Sequence, residues 1–395
     1  MTDTRPVLIA GGGIGGLTAA VALDRENIDV QILERSSFTE ESGAGIQLGP
    51  NATRILRRLG VLDALEAQMF RPKAVWLFDG RNGKKLATVP LGDFAEKRYG
   101  APYIAAHRAD LHEALRTVAA DSAHVSLTPE FTVSDVHDGD GVTVTGKDGD
   151  TQHGSALVGA DGIWSTVRGW VAPGSSPSFT GATAFRSLVP RDTLHEPFSA
   201  PIVGLWLGPR SHLVHYPVRG GAAVNVVAVT ARGDKQEGWN RSADKDLVLA
   251  NFARWGKTPL GLLDAAPRWR AWSLFAVPAL PHWSRGATVL LGDAAHPVLP
   301  YLAQGAGLAI EDAAKLAELL GAQRVQPSHA FLAYETSRRP RATRVQHASR
   351  RLGRAYHMGD GVLGEIFRNT RNVILGLRSQ TATLRGFDWL YGENT

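Results

Sequence analysis

The feature that most constrains this chain is a glycine-rich turn between two short apolar segments near the N-terminus. Residues 7–10 are apolar enough to form a buried strand, and the turn after them places Gly11, Gly13 and Gly16 in the pattern G-x-G-x-x-G. An alanine-rich helical stretch follows and leads to a second strand that ends at Glu34. A strand, a turn with these glycines, a helix and a second strand ending in an acid together predict a dinucleotide-binding unit.

Each part of this unit has a physical role in holding a dinucleotide. The glycines allow a tight turn and let a pyrophosphate approach the N-terminus of the helix. Glu34 is placed to accept hydrogen bonds from a ribose diol. Its charge disfavours NADP at this position, because a carboxylate would repel the 2′-phosphate. The motif alone leaves both FAD and NAD open.

A second stretch, residues 292–313, combines a strand end, a carboxylate and a helix start. The apolar run 287–291 predicts a buried strand that ends at Gly292 and Asp293, and a helical pattern begins near Gly307. A helix N-terminus offers unpaired backbone N–H groups and a partial positive charge, so an electron-rich ring or a phosphate fits there. An ordinary connection between a strand and a helix is the alternative.

The middle of the chain is typical of an antiparallel sheet inserted into the nucleotide-binding domain. Apolar and polar residues alternate in four segments, 181–189, 202–208, 212–218 and 223–230. An earlier hairpin, residues 74–83, is predicted to be the first excursion from the nucleotide-binding domain. After residue 313 the chain has helical spacing, over 311–321 and 328–357, with an interruption at Pro340.

Several polar residues are candidates for a binding site. On a strand, His212 and Tyr216 share one face while His215 lies on the other, so the first two can line a polar pocket. The spacing alone favours an ordinary half-buried sheet face. Arg108 begins a predicted helix, where it either binds a phosphate or forms a surface ion pair. The glycine-rich loop at 43–49 either reaches towards a bound cofactor or is a linker.

Composition limits the class of protein. The chain has no cysteine, which excludes disulfides, thiolate metal sites and cysteine nucleophiles and fits a cytoplasmic location. We find no apolar run long enough to cross a membrane and no pattern of a secretory signal. Seven arginines and no acid lie between Arg338 and Arg354. Because no nucleic-acid-binding signature accompanies them, we interpret them as a solvated helix face, with cofactor phosphates as the alternative.

Three stretches together carry a family resemblance: GGGIGG with Glu34, GADGIW at 159–164, and GDAAHPVLPYLAQGAGLAIEDA at 292–313. Their order and spacing resemble the FAD-dependent aromatic hydroxylases (single-component flavoprotein monooxygenases), particularly the salicylate, 3-hydroxybenzoate and 6-hydroxynicotinate hydroxylases. The resemblance covers nearly the whole chain. It implies an α/β fold with a discontinuous Rossmann-like FAD-binding domain, an inserted antiparallel-sheet substrate-binding domain and a C-terminal helical segment. The expected ranges are 1–70, 101–175 and 278–350 for the first, 71–100 and 176–277 for the second, and 351–395 for the third.

The resemblance also implies which residues hold FAD. The expected contacts are Gly11, Gly13 and Gly16 at the pyrophosphate, Glu34 at the adenosine ribose, Arg108 at the phosphate or ribityl region, Asp161 and Gly162 at FAD and the nicotinamide donor, Asp293 at the ribityl chain, and Pro300, Gly305, Ala306 and Gly307 beside the isoalloxazine ring. The single G-x-G-x-x-G motif is then assigned to FAD, because the family has no separate Rossmann domain for NADH or NADPH. The choice between these two donors stays open.

The reaction implied by the resemblance is a hydroxylation. NADH or NADPH reduces FAD, O2 then gives a flavin C4a-hydroperoxide, and a hydroxyl group passes to a small phenolic or hydroxy-heteroaromatic acid. His212 is the candidate base, and Tyr216, Tyr301 and Gln47 are further candidates for contact with substrate. We expect a monomer or homodimer. The alternatives are a reductase or dehydrogenase of the same fold that makes no hydroperoxide, and a flavin-binding redox sensor without turnover.

Overall fold

The computed structural model describes residues 4–38, 44–231, 233, 241–322, 326–358, 370 and 380–392. Its first layer is a six-stranded sheet built from segments far apart in the chain. In spatial order its strands are β18 (Ser284–Arg285), β19 (Thr288–Leu290), β11 (Ala156–Gly159), β1 (Val7–Ala10), β2 (Val30–Leu33) and β7 (Val125–Thr128). All neighbours are parallel except the edge pair β18–β19. The central strands are buried along their whole length, as is usual where helices cover both faces of a parallel sheet.

The second layer is an eight-stranded sheet. In spatial order its strands are β16 (Arg241–Ala243), β17 (Trp269–Ala276), β12 (Ser178–Pro190), β15 (Ala223–Thr230), β14 (Ser211–Val218), β13 (Val203–Gly208), β4 (Ala74–Asp79) and β5 (Lys85–Pro90). Only the pair β13–β4 is parallel. The hairpin β4–β5 therefore belongs to the same sheet as the strands that follow residue 177 in the chain.

Two small sheets and twelve α-helices complete the regular secondary structure of the described residues, apart from four short 3-10 turns. The small sheets are β3 (Gly45–Leu48) with β6 (Ile104–His107), and β8 (Val133–Gly139) with β9 (Gly141–Gly146) and β10 (Thr151–Gly154). The helices are α1 (Ile14–Arg25), α2 (Pro50–Arg58), α3 (Val61–Ala64), α4 (Gly92–Tyr99), α5 (Arg108–Ala120), α6 (Thr166–Val171), α7 (Lys245–Asn251), α8 (Lys257–Ala265), α9 (Gly305–Ala322), α10 (Pro327–Tyr356), α11 (Gln380–Arg385) and α12 (Asp388–Tyr391). The predicted α/β class is confirmed.

Two helix boundaries differ from the prediction. α9 begins at Gly305, before the apolar periodicity becomes visible, because the backbone carbonyl of Gln304 already accepts the first helical bond, from Leu308 N–H. The predicted interruption at Pro340 is wrong, because α10 runs unbroken from Pro327 to Tyr356. Proline removes one helical hydrogen bond, but side chains buried on both sides of it hold this helix to the core.

The parallel sheet gathers the ends of three strands at one edge. β1 lies between β2 and β11, and β19 lies beside β11. The residues that follow these strands, Gly11, Asp161 and Asp293, therefore leave the sheet at its carboxyl edge, where open α/β sheets bind their ligands. Within the described residues, we find no helix long and apolar enough to cross a membrane.

Candidate active site

In the turn after β1, Gly11 and Gly16 stand where any side chain would clash with the backbone. Gly11 has φ of +105°, and a Cβ atom there would lie 2.6 Å from the carbonyl oxygen of Ala160. A Cβ atom on Gly16 would lie 1.9 Å from the carbonyl oxygen of Gly11. Gly13, at the N-cap of α1, has open space where its Cβ would be. The turn therefore packs closely on its protein side and leaves room for a pyrophosphate at the helix N-terminus.

Glu34 connects the end of β2 to this turn. Its Oε2 atom accepts a hydrogen bond from the backbone N–H of Gly12 at 2.7 Å. Its Oε1 atom accepts bonds from the N–H and the hydroxyl of Ser36, at 2.9 Å and 2.8 Å. A carboxylate has about four acceptor positions, so one remains for a ribose hydroxyl, and the exposed Ser36 can give way to a second. The geometry fits the expected ribose contact.

Asp161 caps the helix that follows it. Its Oδ2 atom accepts hydrogen bonds from the backbone N–H groups of Thr166 and Val167, at 2.7 Å and 3.1 Å, at the start of α6. Its Oδ1 atom is buried and has no partner among the described residues. Burial raises the pKa of this carboxyl. Gly162, with φ of +79°, makes the sharp turn after it. The free oxygen is available to a ligand at the sheet edge.

Asp293 follows β19 and is subject to opposing electrostatic effects. The side chain is open to solvent, but the surrounding protein partly desolvates it, which raises the pKa of its carboxyl. Electrostatic interactions with His296, Arg108 and Arg168 oppose this shift. Arg168 is almost fully buried and donates to the carbonyl of Ala294 at 3.1 Å, so it fixes the turn that carries Asp293. The sequence analysis assigned no role to Arg168, because its partner Ala294 lies far away in the chain and the short helix around Arg168 does not indicate this contact.

The chain between Asp293 and α9 forms a compact loop. Residues Pro300–Leu302 make one 3-10 turn, and Ala303 then takes the left-handed conformation with φ of 52°. Such a conformation is costly for alanine and typical of backbone held in place at a functional site. It turns the chain into Gly305 and Ala306, which are partly accessible at the start of α9, while Gly307 is buried. The first N–H groups of α9 are thereby available to a ligand.

A buried ion network fixes this loop from behind. Glu311 and Asp312 on α9 are fully buried and form ion pairs with Arg338 and Arg341 on α10, at 2.5–2.8 Å. Burial raises the pKa of both carboxyls, but the neighbouring cations outweigh it and leave each pKa below its ordinary value. The other oxygen of Asp312 contacts His296 Nε2 at 2.5 Å and the N–H of Gly292 at 3.3 Å.

This network corrects the interpretation of the arginine cluster. Arg338 and Arg341 are only 3% and 8% exposed, so they do not belong to a solvated helix face. Arg344, Arg351 and Arg354 are exposed, as that interpretation requires. The distinction was not visible in the sequence, because Glu311 and Asp312, which pair with the two buried arginines, belong to another helix.

The predicted pocket residues His212 and Tyr301 lie together. His212 is 3% exposed on β14, and its ring centroid is 5.6 Å from that of Tyr301 in the loop before α9. Two residues at the end of α10, which the sequence did not indicate, complete this cluster. The ring of Tyr356 is 5.4 Å from that of His212, and His357 Nε2 is 2.8 Å from His212 Nδ1.

Tyr216 lies at the other end of the same strand face. It is 3% exposed, and burial raises its pKa to about 12, so the phenol is neutral at neutral pH. It packs against Gly45, whose N–H donates to Asn225 Oδ1 at 2.8 Å. Gln47 lies in the same strand as Gly45 and accepts a bond from the hydroxyl of Tyr103 at 2.8 Å. The glycine loop at 43–49 thus reaches the sheet, although residue 43 is outside the described residues.

Arg186 is a further cation on this face of the sheet. Its neighbour Phe185 packs into the core on the opposite side, and its guanidinium lies 3.5 Å from the centroid of the Trp272 ring. Its Nε atom is buried without a hydrogen-bond partner among the described residues. Burial lowers its pKa to about 10, which still leaves it charged at neutral pH. Tyr216 and Arg108 also influence this pKa electrostatically, in opposite directions. The sequence analysis missed this residue, since an arginine in an alternating strand looks like an ordinary polar position.

A family model described as an FAD binding domain matches residues 4–349. The chain belongs to this flavoprotein family. Its glycine turn, its free Asp161 oxygen and the open start of α9 fit the pyrophosphate and ring of FAD, so this flavoprotein has donors and space where the cofactor needs them. FAD is therefore its cofactor.

Relatives along the whole length of this flavoprotein are monooxygenases. A 3-amino-4-hydroxybenzoate 2-monooxygenase from Streptomyces platensis is 39% identical and covers 98% of this chain and 95% of its own. A 3-hydroxybenzoate 6-hydroxylase from Klebsiella oxytoca is 35% identical, with 99% and 98% covered. Among solved structures, a salicylate hydroxylase substrate complex superposes with a TM-score of 0.81 at 25% identity, with 99% and 96% covered. The flavoprotein is thus an FAD-dependent aromatic hydroxylase. The roles of its individual site residues remain predictions.

Proposed function

We propose that this enzyme hydroxylates a small phenolic or hydroxy-heteroaromatic acid with NADH or NADPH as the hydride donor. The observation that carries the proposal is the composition of one sheet face. This face carries a charged arginine, Arg186, and the neutral polar residues His212 and Tyr216, and the strand that contains Gln47 packs against it. The carboxylate of an aromatic acid can pair with Arg186. A hydroxyl group on the ring of the same acid can then form hydrogen bonds with the neutral residues.

Arg186 is the residue that selects an acid. A half-buried guanidinium that stacks on an indole ring, with a buried and unpartnered Nε, retains hydrogen-bonding capacity for an incoming group. Arginine pairs with carboxylates through two parallel bonds, which fix a planar acid in one orientation. Leaving such a charge without a partner is costly, so a bound carboxylate gains more here than at the surface.

His212 is the proposed base for the substrate hydroxyl. A phenolate ring is more electron-rich than a phenol ring, so removal of the proton assists attack on an electrophilic oxygen. Burial, together with the neighbouring His357, holds the pKa of His212 well below its ordinary value, so the ring is neutral and one of its nitrogens is unprotonated. Tyr301 beside it and Tyr216 at the other end of the strand face are the proposed orienting hydroxyls.

The chain contributes binding, orientation and exclusion of water, while FAD when bound supplies the hydride and oxygen chemistry. The loop Pro300–Leu302 and the start of α9 would face its ring, and the N-terminal charge of α9 would stabilise added negative charge there. Glu34 concerns only the adenosine end of FAD and does not decide between NADH and NADPH. The relatives named above act on aminohydroxybenzoate, hydroxybenzoate and salicylate, which supports the proposed substrate class.

A ligand panel tests the proposal. Flavin-loaded protein is mixed with hydroxybenzoates and hydroxynicotinates, and NADH and NADPH oxidation is followed for each. We expect one carboxylated ligand to stimulate oxidation well above the basal rate. A His212→Ala variant should keep FAD and the stimulated oxidation but lose about 100-fold or more of product formation. Unchanged product formation in that variant would exclude His212, and a panel without any stimulation would exclude the substrate class.

A further inference from the structure

We propose that His357 is a second proton carrier of this site, which takes the proton that His212 removes from a bound phenol and passes it to solvent. The proposal rests on the proposed hydroxylation of a phenolic acid and adds a residue to it. Its basis is the contact between the two rings, with His212 Nδ1 and His357 Nε2 at 2.8 Å. At this distance the two nitrogens share one proton.

The His212–His357 pair connects the buried pocket with the protein surface. His212 is 3% exposed on β14, whereas His357 is partly exposed at the C-cap of α10. Tyr301 and Tyr356 are the titratable side chains whose rings pack against the pair from the described loop and helix. Apart from their shared bond, neither ring makes a hydrogen bond within the described part of the chain. Each ring therefore keeps one nitrogen for an outside partner, His212 Nε2 for a ligand and His357 Nδ1 for water.

A single buried histidine would be a poor acceptor at this place. Desolvation lowers the pKa of His212 well below its ordinary value and that of His357 to about 4, so a lasting imidazolium on either ring is unfavourable. A relay avoids that charge, because one proton enters the pair as another leaves. The low proton affinity of each ring thus favours transfer through the pair over storage on one ring.

The transfer balances without any further reactant. The phenol O–H gives its proton to His212 Nε2, and its bonding electron pair stays on the oxygen as phenolate. His212 Nδ1–H passes its proton to His357 Nε2, and His357 Nδ1–H releases one to water. Both rings end neutral with exchanged tautomers. The two rings return to their first tautomers when a proton travels back, for instance after the product leaves.

Proton release on ligand binding tests the relay without turnover. Flavin-loaded enzyme is mixed in weak buffer, in the absence of NADH, with 3-hydroxybenzoate and a pH-indicator dye in a stopped-flow instrument. Binding is followed separately by the flavin spectrum. The methyl ether 3-methoxybenzoate, which has no phenolic proton, gives the background. The variants are His357→Gln, which can hold His212 by a hydrogen bond but cannot relay, and His357→Phe. His347→Gln, an exposed histidine of the same helix, is the matched control.

The wild type and His347→Gln should release a proton with the phenol and none with the ether. Both His357 variants should bind within about threefold of the wild-type affinity and release the proton at least about tenfold more slowly. Release at the wild-type rate in His357→Gln would overturn the relay and leave His357 only a positioning residue. Binding without release in the wild type would also overturn it. Failure of the wild type to bind any phenolic acid would instead contradict the proposed function itself, and the relay with it.

Discussion

Arg186 is the residue on which the choice of an acidic substrate depends most. Replacing it by methionine keeps the length of the side chain and much of its contact with Trp272 but removes the charge. A hydrogen bond to a charged group contributes about 1.5–3 kcal/mol, so the Kd of a hydroxybenzoate should rise about tenfold or more. The corresponding phenol without a carboxylate should bind Arg186→Met as it binds the wild type. Equal losses for the two ligands would show that Arg186 only maintains the sheet.

Glu34 acts at the opposite end of the proposed FAD site. Glu34→Ala removes both the expected ribose contact and the tether to Gly12, so the Kd of FAD should rise about tenfold in equilibrium dialysis. Ser36→Ala is the matched control, because it removes one bond to the same carboxylate but no expected contact with FAD. A Glu34→Ala protein that stays fully loaded with flavin through dialysis would contradict the assignment.

At the scale of helices, the ion network between α9 and α10 holds the start of α9 in place. Removing one partner of a buried ion pair costs about 3–5 kcal/mol, because a charge is left buried without compensation. Arg338→Met should therefore lower the urea midpoint of the FAD-loaded enzyme strongly. Arg351→Met, an exposed arginine on the same helix, should change stability by no more than about 0.5 kcal/mol. A similar small effect of both variants would show that the buried pairs do not stabilise α9.

The same network predicts a pH dependence. The pKa values of Glu311 and Asp312 are lower in the folded protein than in the unfolded chain. Their stabilising contribution is therefore complete above the unfolded pKa values, about 4, and is lost as the pH falls through the folded ones. The difference in unfolding free energy between wild type and Arg338→Met should shrink as the pH falls from about 4 towards the lower pKa values of the folded protein. A difference that stays constant over this range would contradict the assignment of charge to these carboxylates.

The elements themselves differ in how far the sequence determines them. β1, the glycine turn and α1 could be predicted because their signals are local in the sequence. These signals are a short apolar segment, the spacing of the glycines and an alanine-rich helical stretch. The face shared by His212 and Tyr216 followed from strand alternation alone. His357 and Arg338 could not be predicted, since their partners lie on β14 and α9, far away in the chain. Likewise, Pro340 misled the prediction because the packing that overrides it is tertiary.

For the whole molecule, the two large sheets have different proposed roles, one in binding FAD and the other in binding the substrate. The parallel sheet gathers three strand ends for FAD, and the face of the eight-stranded sheet supplies Arg186, His212 and Tyr216. The charge of Arg108 influences the pKa of both Asp293 and Arg186. In the proposed function, the substrate binds between the cofactor and the sheet, where one ring can meet both.

The most direct test of the account is the fate of oxygen in the product. Flavin-loaded enzyme is supplied with NADH or NADPH, the most stimulating aromatic acid and isotopically heavy O2, and the product is analysed by mass spectrometry. We predict a ring-hydroxylated acid that carries a single heavy oxygen atom, formed with matching O2 uptake. Oxidation of the nicotinamide with the aromatic acid recovered unchanged would contradict the account and identify the protein as a reductase of the same fold.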